Sequence, residues 1–375
     1  MKRKGFLYEQ MCDKELIKVA IQHASEGKRN QGHVQEILRN SDKYAEKVLK
    51  MLQDESFQPS GYVQDIIQEG PSRKRREISK PRFYPDQVIH WCIYLVLKPW
   101  LFKRFYYLNC GSIPGKGVHF GKKYVQRWVR TDRKHTKYYL KMDVHHFYQS
   151  IQPYRVIEKL RTIIKDEKFI RLNEKILMQS DGLPIGMLLS QVYANFFLTD
   201  LDFWVKQELG AVYYLRYMDD MVIFGPNKKK LHAMRDAIEK RLNENGLAMK
   251  KNWQVFRLDK EPLDFMGFRF YRTHTTLRRS IMLAITRRVR KTDRAGKNVS
   301  AHDASAVISY LGWVKCSDSH NMFCKWIQPH LHIQRLKNAV RRKANERIQR
   351  MVGGKTGKVG PGIVPGQGVP IHGCA

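Results

Sequence analysis

The sequence lacks any long hydrophobic run and any pattern of paired cysteines. Its most apolar stretch, Val88 to Leu97, is too short to span a bilayer and is interrupted by His90 and Trp91. The six cysteines form no Cys-x-x-Cys pair, which favours free thiols in a reducing compartment. The basic N-terminus has no apolar segment, so we expect no signal peptide and a cytoplasmic protein.

Acidic residues are also scarce. The chain has 35 Asp and Glu against 69 Lys and Arg, which gives a net charge of +34. Such an excess repels itself in the folded state unless a polyanion is bound. Nucleic acid is therefore the expected partner, and a membrane surface is the weaker alternative because the charge is spread over the whole chain. A hydrophobic content of 42% excludes a disordered protein, and 375 residues leave room for two or three domains.

No P-loop is present, although glycine recurs between residues 111 and 121. The Gly-x-x-x-x-Gly-Lys-[Ser/Thr] pattern is absent. This segment is either a connector that lets a nucleic-acid strand approach the backbone or an ordinary loop. Cys316, His320 and Cys324 recur at spacings of four and could share a helix face. A fourth zinc ligand is not evident, so a zinc site there is only a minor alternative.

Two adjacent aspartates, Asp219 and Asp220, interrupt an apolar and aromatic run from Tyr214 to Phe224. The flanking residues predict two strands, and Asp disfavours strands, so we expect both aspartates in the turn of a hairpin. Ionised carboxylates beside so much buried surface are costly unless a cation compensates them. A hard divalent metal held by oxygen ligands is one solution. A solvated Asp-Asp turn is the alternative.

The segments around this hairpin predict a mixed sheet. Residues 138–148 are strand-like, and we expect the strand to end at Asp143. Residues 188–205 predict a helix after a Gly- and Pro-containing turn. A helix over 228–245, capped by Asn227, and strands over 247–256 and 263–270 follow. The order β, helix, hairpin, helix, β is typical of the split βαβ or ferredoxin-like arrangement. It would place Asp143 beside the hairpin on an adjacent central strand. His145 and His146 are expected on opposite faces of their strand.

The flanking regions are predicted to be mostly helical. Residues 1–70 show helical spacing over 12–25 and 33–53, and a basic cluster at 73–76 leads into a strand-like segment. Pro85 is expected to open a helix that ends at Leu97, before Lys98 and Pro99. Basic helices over 301–315 and 333–351 precede a Gly- and Pro-rich tail at 351–375, which we expect to be flexible.

With these motifs aligned, the chain resembles a reverse transcriptase over roughly residues 70 to 345. The resemblance depends on four motifs in the family's order: Asp143 with Tyr148, Leu183-Pro184-Ile185-Gly186 with Ser190-Gln191, Tyr217-Met218-Asp219-Asp220, and Phe265-Met266-Gly267-Phe268. Within that family it looks most like the enzymes of diversity-generating retroelements. Ile185 and Gln191 replace the family's usual Pro-Gln-Gly and Ser-Pro patterns. The segment from Ser309 to Asn321 also looks like that group, and we expect no ribonuclease H-like or endonuclease domain after it.

The resemblance implies an α+β right-hand polymerase with fingers, a ferredoxin-like palm that carries the YMDD hairpin, and a helical thumb. The implied boundaries are an N-terminal helical segment over 1–70, fingers over 71–140, a palm over 141–275 with helices over 153–208, a thumb over 276–350, and the tail. The implied reaction is transfer of a nucleotide from a deoxynucleoside triphosphate to a primer 3′-hydroxyl with two Mg²⁺ ions.

The resemblance also assigns roles to individual residues. The catalytic metal ligands would be Asp143, Asp219, Asp220 and the carbonyl of Val144. The nucleotide would contact Lys74, Arg76, Tyr148 (as a steric gate against a 2′-hydroxyl), Ile185, Gly186 and Gln191. The primer would contact Tyr217, Met218, Met266, Gly267 and Phe268. Lys250 or Lys251 would be the general acid for pyrophosphate.

The implied partners are template RNA, primer, cDNA and deoxynucleoside triphosphates, together with a basic, ring-forming accessory protein of the retroelement, and no membrane. Ile185 stands where high-fidelity relatives have Gln, so we expect error-prone copying of template adenines; a neutral packing change is the alternative. Two further alternatives are a bacterial enzyme of a phage-defence system or group II intron, and a non-catalytic nucleic-acid-binding scaffold.

The charge predicts strongly salt-dependent binding of nucleic acid. Because each neutralised phosphate releases counterions, the affinity should fall by about 10³-fold or more between roughly 50 and 200 mM salt. Filter binding of the chain to RNA at several salt concentrations measures this slope. A flat response over that range would contradict the prediction.

Overall fold

The computed structural model describes residues 3–69 and 74–353. The chain divides into two compact units, Met1–Ile281 and Met282–Ala375. Part of the predicted tail, residues 354–375, lies outside the described residues, as does Arg73 of the basic cluster. Among the residues described, no helix is long and apolar enough to cross a membrane.

The first unit begins with four helices: α1 (Leu7–Met11), α2 (Lys14–Ser25), α3 (Gly32–Arg39) and α4 (Ser41–Gln53). Helix α2 starts where Asp13 accepts hydrogen bonds from the backbone N–H groups of Glu15 and Leu16. The residues at helical spacing on its apolar face, such as Ile17 and Ile21, are buried. The single helix predicted over 33–53 is two helices, which meet at Asn40.

An antiparallel hairpin of β1 (Tyr62–Glu69) and β2 (Lys74–Pro81) follows. Residues 62–69 were expected within a mostly helical segment, but they pair along their whole length with β2. Alternation of β-branched and polar residues is weak here because both faces of much of the strand are exposed, as at Val63 and Ile66. The strand signal in the sequence is correspondingly poor.

Two long helices cover the next segment, α5 (Val88–Leu101) and α6 (Val118–Thr131). A π-helical turn at Phe83–Gln87 precedes α5. The predicted helix from Pro85 to Leu97 is therefore wrong at both ends. Pro99 lies in the last turn of α5 and removes one backbone N–H donor there.

The middle of the chain builds a four-stranded antiparallel sheet with the order β5-β6-β3-β8. Numbered among themselves by sequence, these strands have the order 2-3-1-4, as in a split βαβ sheet. The predicted helix over 188–205 is two helices, and the strand over 247–256 is two short strands. The elements of this region are β3 (Tyr138–Met142), β4 (Val144–His145), α7 (Phe147–Ser150), α8 (Pro153–Ile163), α9 (Glu167–Leu177), α10 (Leu188–Phe197), α11 (Thr199–Gln207), β5 (Tyr213–Tyr217), β6 (Asp220–Gly225), α12 (Lys228–Glu244), β7 (Ala248–Met249) and β8 (Gln254–Arg257).

A small three-stranded sheet closes the first unit, with β9 (Leu263–Phe265), β10 (Phe268–Phe270) and β11 (Thr275–Leu277). Arg272 ties this sheet to the start of β3. Its guanidinium pairs with Asp259 at 2.8 Å and donates a 2.9 Å hydrogen bond to the carbonyl of Thr136. The aromatic side chains of Phe265, Phe268 and Phe270 are fully buried.

The second unit is helical in its described part. Its helices are α13 (Arg279–Ala295), which begins in the first unit, α14 (Ala301–Lys315), the short α15 (His320–Met322) and α16 (Ile333–Gly353). Ser300 caps α14 through the backbone N–H of Asp303. Asp303 also forms a 2.9 Å ion pair with Lys291 of α13, so an ion pair joins the two helices.

Candidate active site

The β5–β6 hairpin places two carboxylates at one edge of the four-stranded sheet. Tyr217 pairs with Asp220 across the hairpin, and Met218 and Asp219 form the two-residue turn. Only Asp219 therefore lies in the turn; Asp220 is the first residue of β6, which corrects the expectation that both occupy the turn. Met218 has a φ of 57°, a left-handed conformation that is uncommon for a residue with a side chain and requires support from its neighbours.

Asp143 reaches the same edge from β3. Met142, the last residue of β3, pairs with Met221 of β6, so Asp143 directly follows the strand next to the hairpin. The backbone N–H of Lys250 donates a 2.8 Å hydrogen bond to the Asp143 carbonyl, and the Lys250 ammonium pairs with Asp143 Oδ2. The other carboxylate oxygen, Oδ1, is buried without a hydrogen-bond partner in the structure.

Burial and the charge of Asp143 raise the pKa of both aspartates of the hairpin. Burial, and then the negative charge of nearby Asp143, raise the pKa of Asp219 to about 7. Burial and the same charge raise the pKa of Asp220 to about 6, although Lys141, Lys250 and Arg278 oppose the shift. Like charges that crowd a partly buried site favour protonation or a cation.

The donor set fits a hard divalent cation, because it consists of carboxylate oxygens, one of them buried and unbonded. Within the described ranges, no group of three or more His, Cys, Asp or Glu side chains is yet arranged to hold a metal. The Lys250 ammonium occupies one Asp143 oxygen instead. The same finding applies to the minor zinc alternative, where only His320 and Cys324 approach each other, with Nε2 and Sγ 3.4 Å apart.

A Gly- and Pro-containing loop at residues 182–186 joins two other parts of the predicted site. The backbone N–H of Leu183 donates a 2.8 Å hydrogen bond to the Tyr148 carbonyl, and Ser79 of β2 donates a 2.7 Å bond to the Ile185 carbonyl. A Cβ on Gly182 would lie 2.7 Å from the Gln149 carbonyl carbon, so this close approach needs glycine.

The side chain of Tyr148 lies within the electrostatic reach of the carboxylates. Burial and then the charge of Asp219 raise the pKa of Tyr148, while Arg76 of β2 opposes this shift. Tyr148, Asp219 and Arg76 thus share one region of the first unit. The side chain of Lys74 lies outside what the structure describes.

The glycine-rich connector at residues 111–121 packs against two turns of the predicted site. A Cβ on Gly111 would lie 2.7 Å from the backbone nitrogen of Met218, and one on Gly121 would lie 2.7 Å from Sδ of Met266. Met266 and Gly267 form the tight turn between β9 and β10, both at positive φ. Met218 and Met266, the two methionines predicted to contact the primer, are therefore each packed against a glycine of this segment.

The structure places the remaining predicted residues in different environments. Lys250, but not the exposed Lys251, pairs with Asp143. Gln191 is exposed on α10. The expectation that His145 and His146 face opposite sides is wrong: their ring centroids are 4.1 Å apart, because His146 leaves the strand in a left-handed conformation.

Sequence reasoning missed the residues that support the hairpin from within. Arg216 of β5 and Asp202 of α11 form an ion pair in which both side chains are 0% exposed. The available signal was a cation in the middle of an apolar strand and a carboxylate in an apolar helix segment. Each is costly to bury alone, so each implies a partner.

The raised pKa values predict how stability depends on pH in the metal-free protein. The folded pKa values of about 7 and about 6 exceed the ordinary aspartate value of 3.8, so the folded state binds protons more tightly. The contribution of Asp219 and Asp220 to the free energy of unfolding is complete below about pH 4, and it is lost as the pH rises through about 6 to 7. Asp219→Asn removes one ionising group, so its stability relative to the native chain should increase over this range. Urea unfolding in EDTA at several pH values measures the difference, with the exposed Asp181→Asn as control; a pH-independent difference would contradict the assignment.

Three comparisons with known proteins indicate the family of the chain. The family model described as reverse transcriptase (RNA-dependent DNA polymerase) matches residues 71–270. The Retron Ec73 reverse transcriptase of Escherichia coli is 27% identical over 225 residues, which cover 54% of this chain and 71% of that protein. A truncated apo telomerase structure from Candida tropicalis has a TM-score of 0.43 at 13% identity; the match covers 64% of this chain and 59% of that chain.

The family match spans more than half of the 375 residues and contains Asp143, Asp219, Asp220 and the loop at 182–186. A right-hand polymerase fold of mixed helix and sheet is the architecture of this family. Its members copy RNA into DNA from a primer and deoxynucleoside triphosphates, and they generally use divalent metal ions. The chain belongs to the reverse transcriptase family, and it is an RNA-directed DNA polymerase.

Proposed function

We propose that the carboxylates at the edge of the β5–β6–β3 sheet form the polymerase site. Asp143 and Asp219 would hold two Mg²⁺ ions, Asp220 would support one of them, and the Val144 carbonyl would add a ligand. When bound, the ions supply positive charge for the reacting phosphates and the primer oxygen. The observation that carries this proposal is that burial and the charge of Asp143 raise the pKa values of Asp219 and Asp220, beside an Asp143 oxygen that has no hydrogen-bond partner.

The chain's own groups would position the nucleotide. Tyr148 would exclude a ribose 2′-hydroxyl, while Ile185 and Gly186 would pack against the incoming base pair and Gln191 would lie at the edge of this pocket. Lys74 and Arg76 of the β1–β2 hairpin would contact the triphosphate, Arg76 through its planar fork. The hydrogen bonds from the 182–186 loop to Tyr148 and Ser79 support this grouping.

The primer end would lie against Tyr217 and Met218 on one side and Met266, Gly267 and Phe268 on the other. Lys250 would protonate the pyrophosphate leaving group, because its ammonium already lies at the Asp143 carboxylate. Lys251 is the less favoured choice since its side chain is exposed.

The architecture follows the same assignment. The β1–β2 hairpin and the helices after it would be fingers, the four-stranded sheet with its YMDD hairpin a ferredoxin-like palm, and the basic helices of the second unit a thumb. Residues 1–70 would precede the fingers, although β1 within that segment pairs with β2.

Replacing one carboxylate tests the site directly. Asp219→Asn should lower the primer-extension rate by about 1000-fold, because several kcal/mol of charge stabilisation by the metal ions depends on it. Single-nucleotide extension of an RNA-templated primer measures the rate. Asp181→Asn, an exposed aspartate, is the matched control. Native activity in Asp219→Asn would exclude this site.

Ile185 supports a diversity-generating retroelement as the biological setting. Ile offers apolar contact where high-fidelity relatives place a hydrogen-bonding Gln, which fits a polymerase that miscopies template adenines. The backbone carbonyl of Ile185 holds Ser79 regardless of the side chain, so the side chain is free to set selectivity. A basic, ring-forming accessory protein would then be a further partner.

A retron-like or group II intron enzyme, including one that serves phage defence, is the second candidate. The resemblance to the Retron Ec73 reverse transcriptase favours it. The neighbouring DNA separates the two candidates. A template repeat that matches a variable repeat of a target gene except at adenines indicates the retroelement, whereas a gene for a structured template RNA indicates a retron.

A single substitution tests the fidelity hypothesis. Ile185→Gln should reduce errors opposite template adenines by about fivefold, the discrimination that one hydrogen bond worth about 1 kcal/mol supplies. Sequencing of cDNA made on a defined RNA measures the error spectrum. Ile185→Leu keeps the apolar contact and should leave the spectrum unchanged. Equal adenine errors in the Gln variant and the native chain would refute the hypothesis.

A further inference from the structure

The turn that carries Asp219 is held from beneath by a buried arginine. Arg216 lies on β5, two residues before Met218, and its side chain is 0% exposed. Its guanidinium donates a 2.9 Å hydrogen bond from Nη1 to the Met218 carbonyl. Met218 is the residue with positive φ in the turn, so the arginine contacts the strained part of the hairpin.

Asp202 of α11 fixes the orientation of that guanidinium. Nε donates to Asp202 Oδ1 at 2.7 Å and Nη2 to Oδ2 at 2.6 Å, a bidentate pair. The hydroxyl of Tyr214 also donates to Asp202 Oδ1 at 2.7 Å. The plane of the guanidinium is thus set by a helix outside the hairpin, and its free corner points to the turn.

Asn195 of α10 joins this network to the opposite side of the turn. Its Oδ1 accepts a 3.1 Å hydrogen bond from Arg216 Nη1, and its Nδ2 donates a 2.8 Å bond to the Gly111 carbonyl. Gly111 packs so closely on Met218 that a Cβ there would lie 2.7 Å from the Met218 nitrogen. The Met218 backbone is therefore enclosed between Gly111 and Arg216, and one asparagine links the two.

We propose that Arg216, oriented by Asp202 and Asn195, is a positioning residue for polymerisation: it fixes the turn so that the Asp219 carboxylate meets Asp143. This inference rests on the proposed function, which makes Asp219 part of the polymerase site. Arg216 itself is completely buried and donates to the carbonyl of Met218, the residue before Asp219, so it acts on Asp219 through the turn.

Stability alone gives a weaker account of this network. Replacing a buried ion pair by apolar residues of similar size is often neutral or stabilising. Arg216 instead makes hydrogen bonds to Asp202, Asn195 and the Met218 carbonyl. That set of bonds defines the direction of the turn, which an apolar core could not do.

Two variants separate positioning from stability. The triple variant Arg216→Met, Asp202→Leu, Tyr214→Phe removes the ion pair without leaving an unpaired charge or hydroxyl. Arg216→Lys keeps a cation for Asp202. A lysine ammonium lacks the planar guanidinium fork that bonds to Asp202 and to the Met218 carbonyl simultaneously. The second variant carries the same prediction, so the test stands if the triple variant does not fold.

Both variants should lower kcat by about 100-fold, the cost of a misplacement of about 1 Å, with KM for primer–template within about twofold of the native value. The rise in unfolding temperature on addition of Mg²⁺ should also shrink. Arg272→Met, at the opposite end of β3, is the control: it removes an ion pair with Asp259 and should lose stability without loss of kcat.

A kcat within about twofold of the native value in either folded variant would overturn the inference. Asp219→Asn, measured in parallel, distinguishes failure of the positioning inference from failure of the proposed polymerase site. If Asp219→Asn is inactive while Arg216→Lys is fully active, the positioning inference fails and the polymerase site stands. If Asp219→Asn is fully active, the proposed site fails, and the role of Arg216 fails with it.

Discussion

The buried ion pair between Arg216 and Asp202 is the constraint on which the geometry of the hairpin depends. Two opposite charges with no solvent exposure persist in a protein only when hydrogen bonds satisfy their remaining atoms. Here those bonds go to Tyr214, Asn195 and the Met218 carbonyl. The requirement to satisfy the ions thus fixes helices α10 and α11 against β5, and it fixes the turn in the same step.

The acidic site exists inside a strongly basic chain. A net charge of +34 attracts nucleic acid over the whole surface, but it also lowers the cost of collecting carboxylates in one place. Lys141, Lys250 and Arg278 each oppose protonation of Asp220. Without these cations, the pKa of Asp220 would be higher still and its ionised form harder to reach. The excess of basic residues therefore helps to keep Asp220 ionised.

The elements nearest the carboxylates were the easiest to predict from the sequence. Asp143 at a strand end and the hairpin around Asp219 follow from strong β-propensity interrupted by residues that strands disfavour. The division of one predicted helix at Asn40, and of another at Leu198, could not be predicted, because apolar spacing continues through both breaks. Strand β1 was missed because its pattern lacks a buried face.

The network around Arg216 was missed for a different reason. A buried charge can be inferred from one sequence position, but its partner cannot: Asp202 lies 14 residues away, and Gly111 lies on the distant glycine-rich connector. Only tertiary packing determines which polar groups meet. Similarly, strand alternation predicted separate faces for His145 and His146, and a single left-handed residue reversed that outcome.

The loop at residues 182–186 joins the two segments to which we assign sugar and base selection. Its hydrogen bonds hold the Tyr148 carbonyl at one end and Ser79 of the β-hairpin at the other. A polymerase must reject both the wrong base and the wrong sugar, and these two decisions are often treated as separable. In this chain a five-residue segment spans both contacts, so a backbone shift that relaxes one also moves the other. With the roles proposed for Tyr148 and Ile185, sugar discrimination and base accuracy would change together, and only side-chain changes that leave the loop backbone in place would alter one alone.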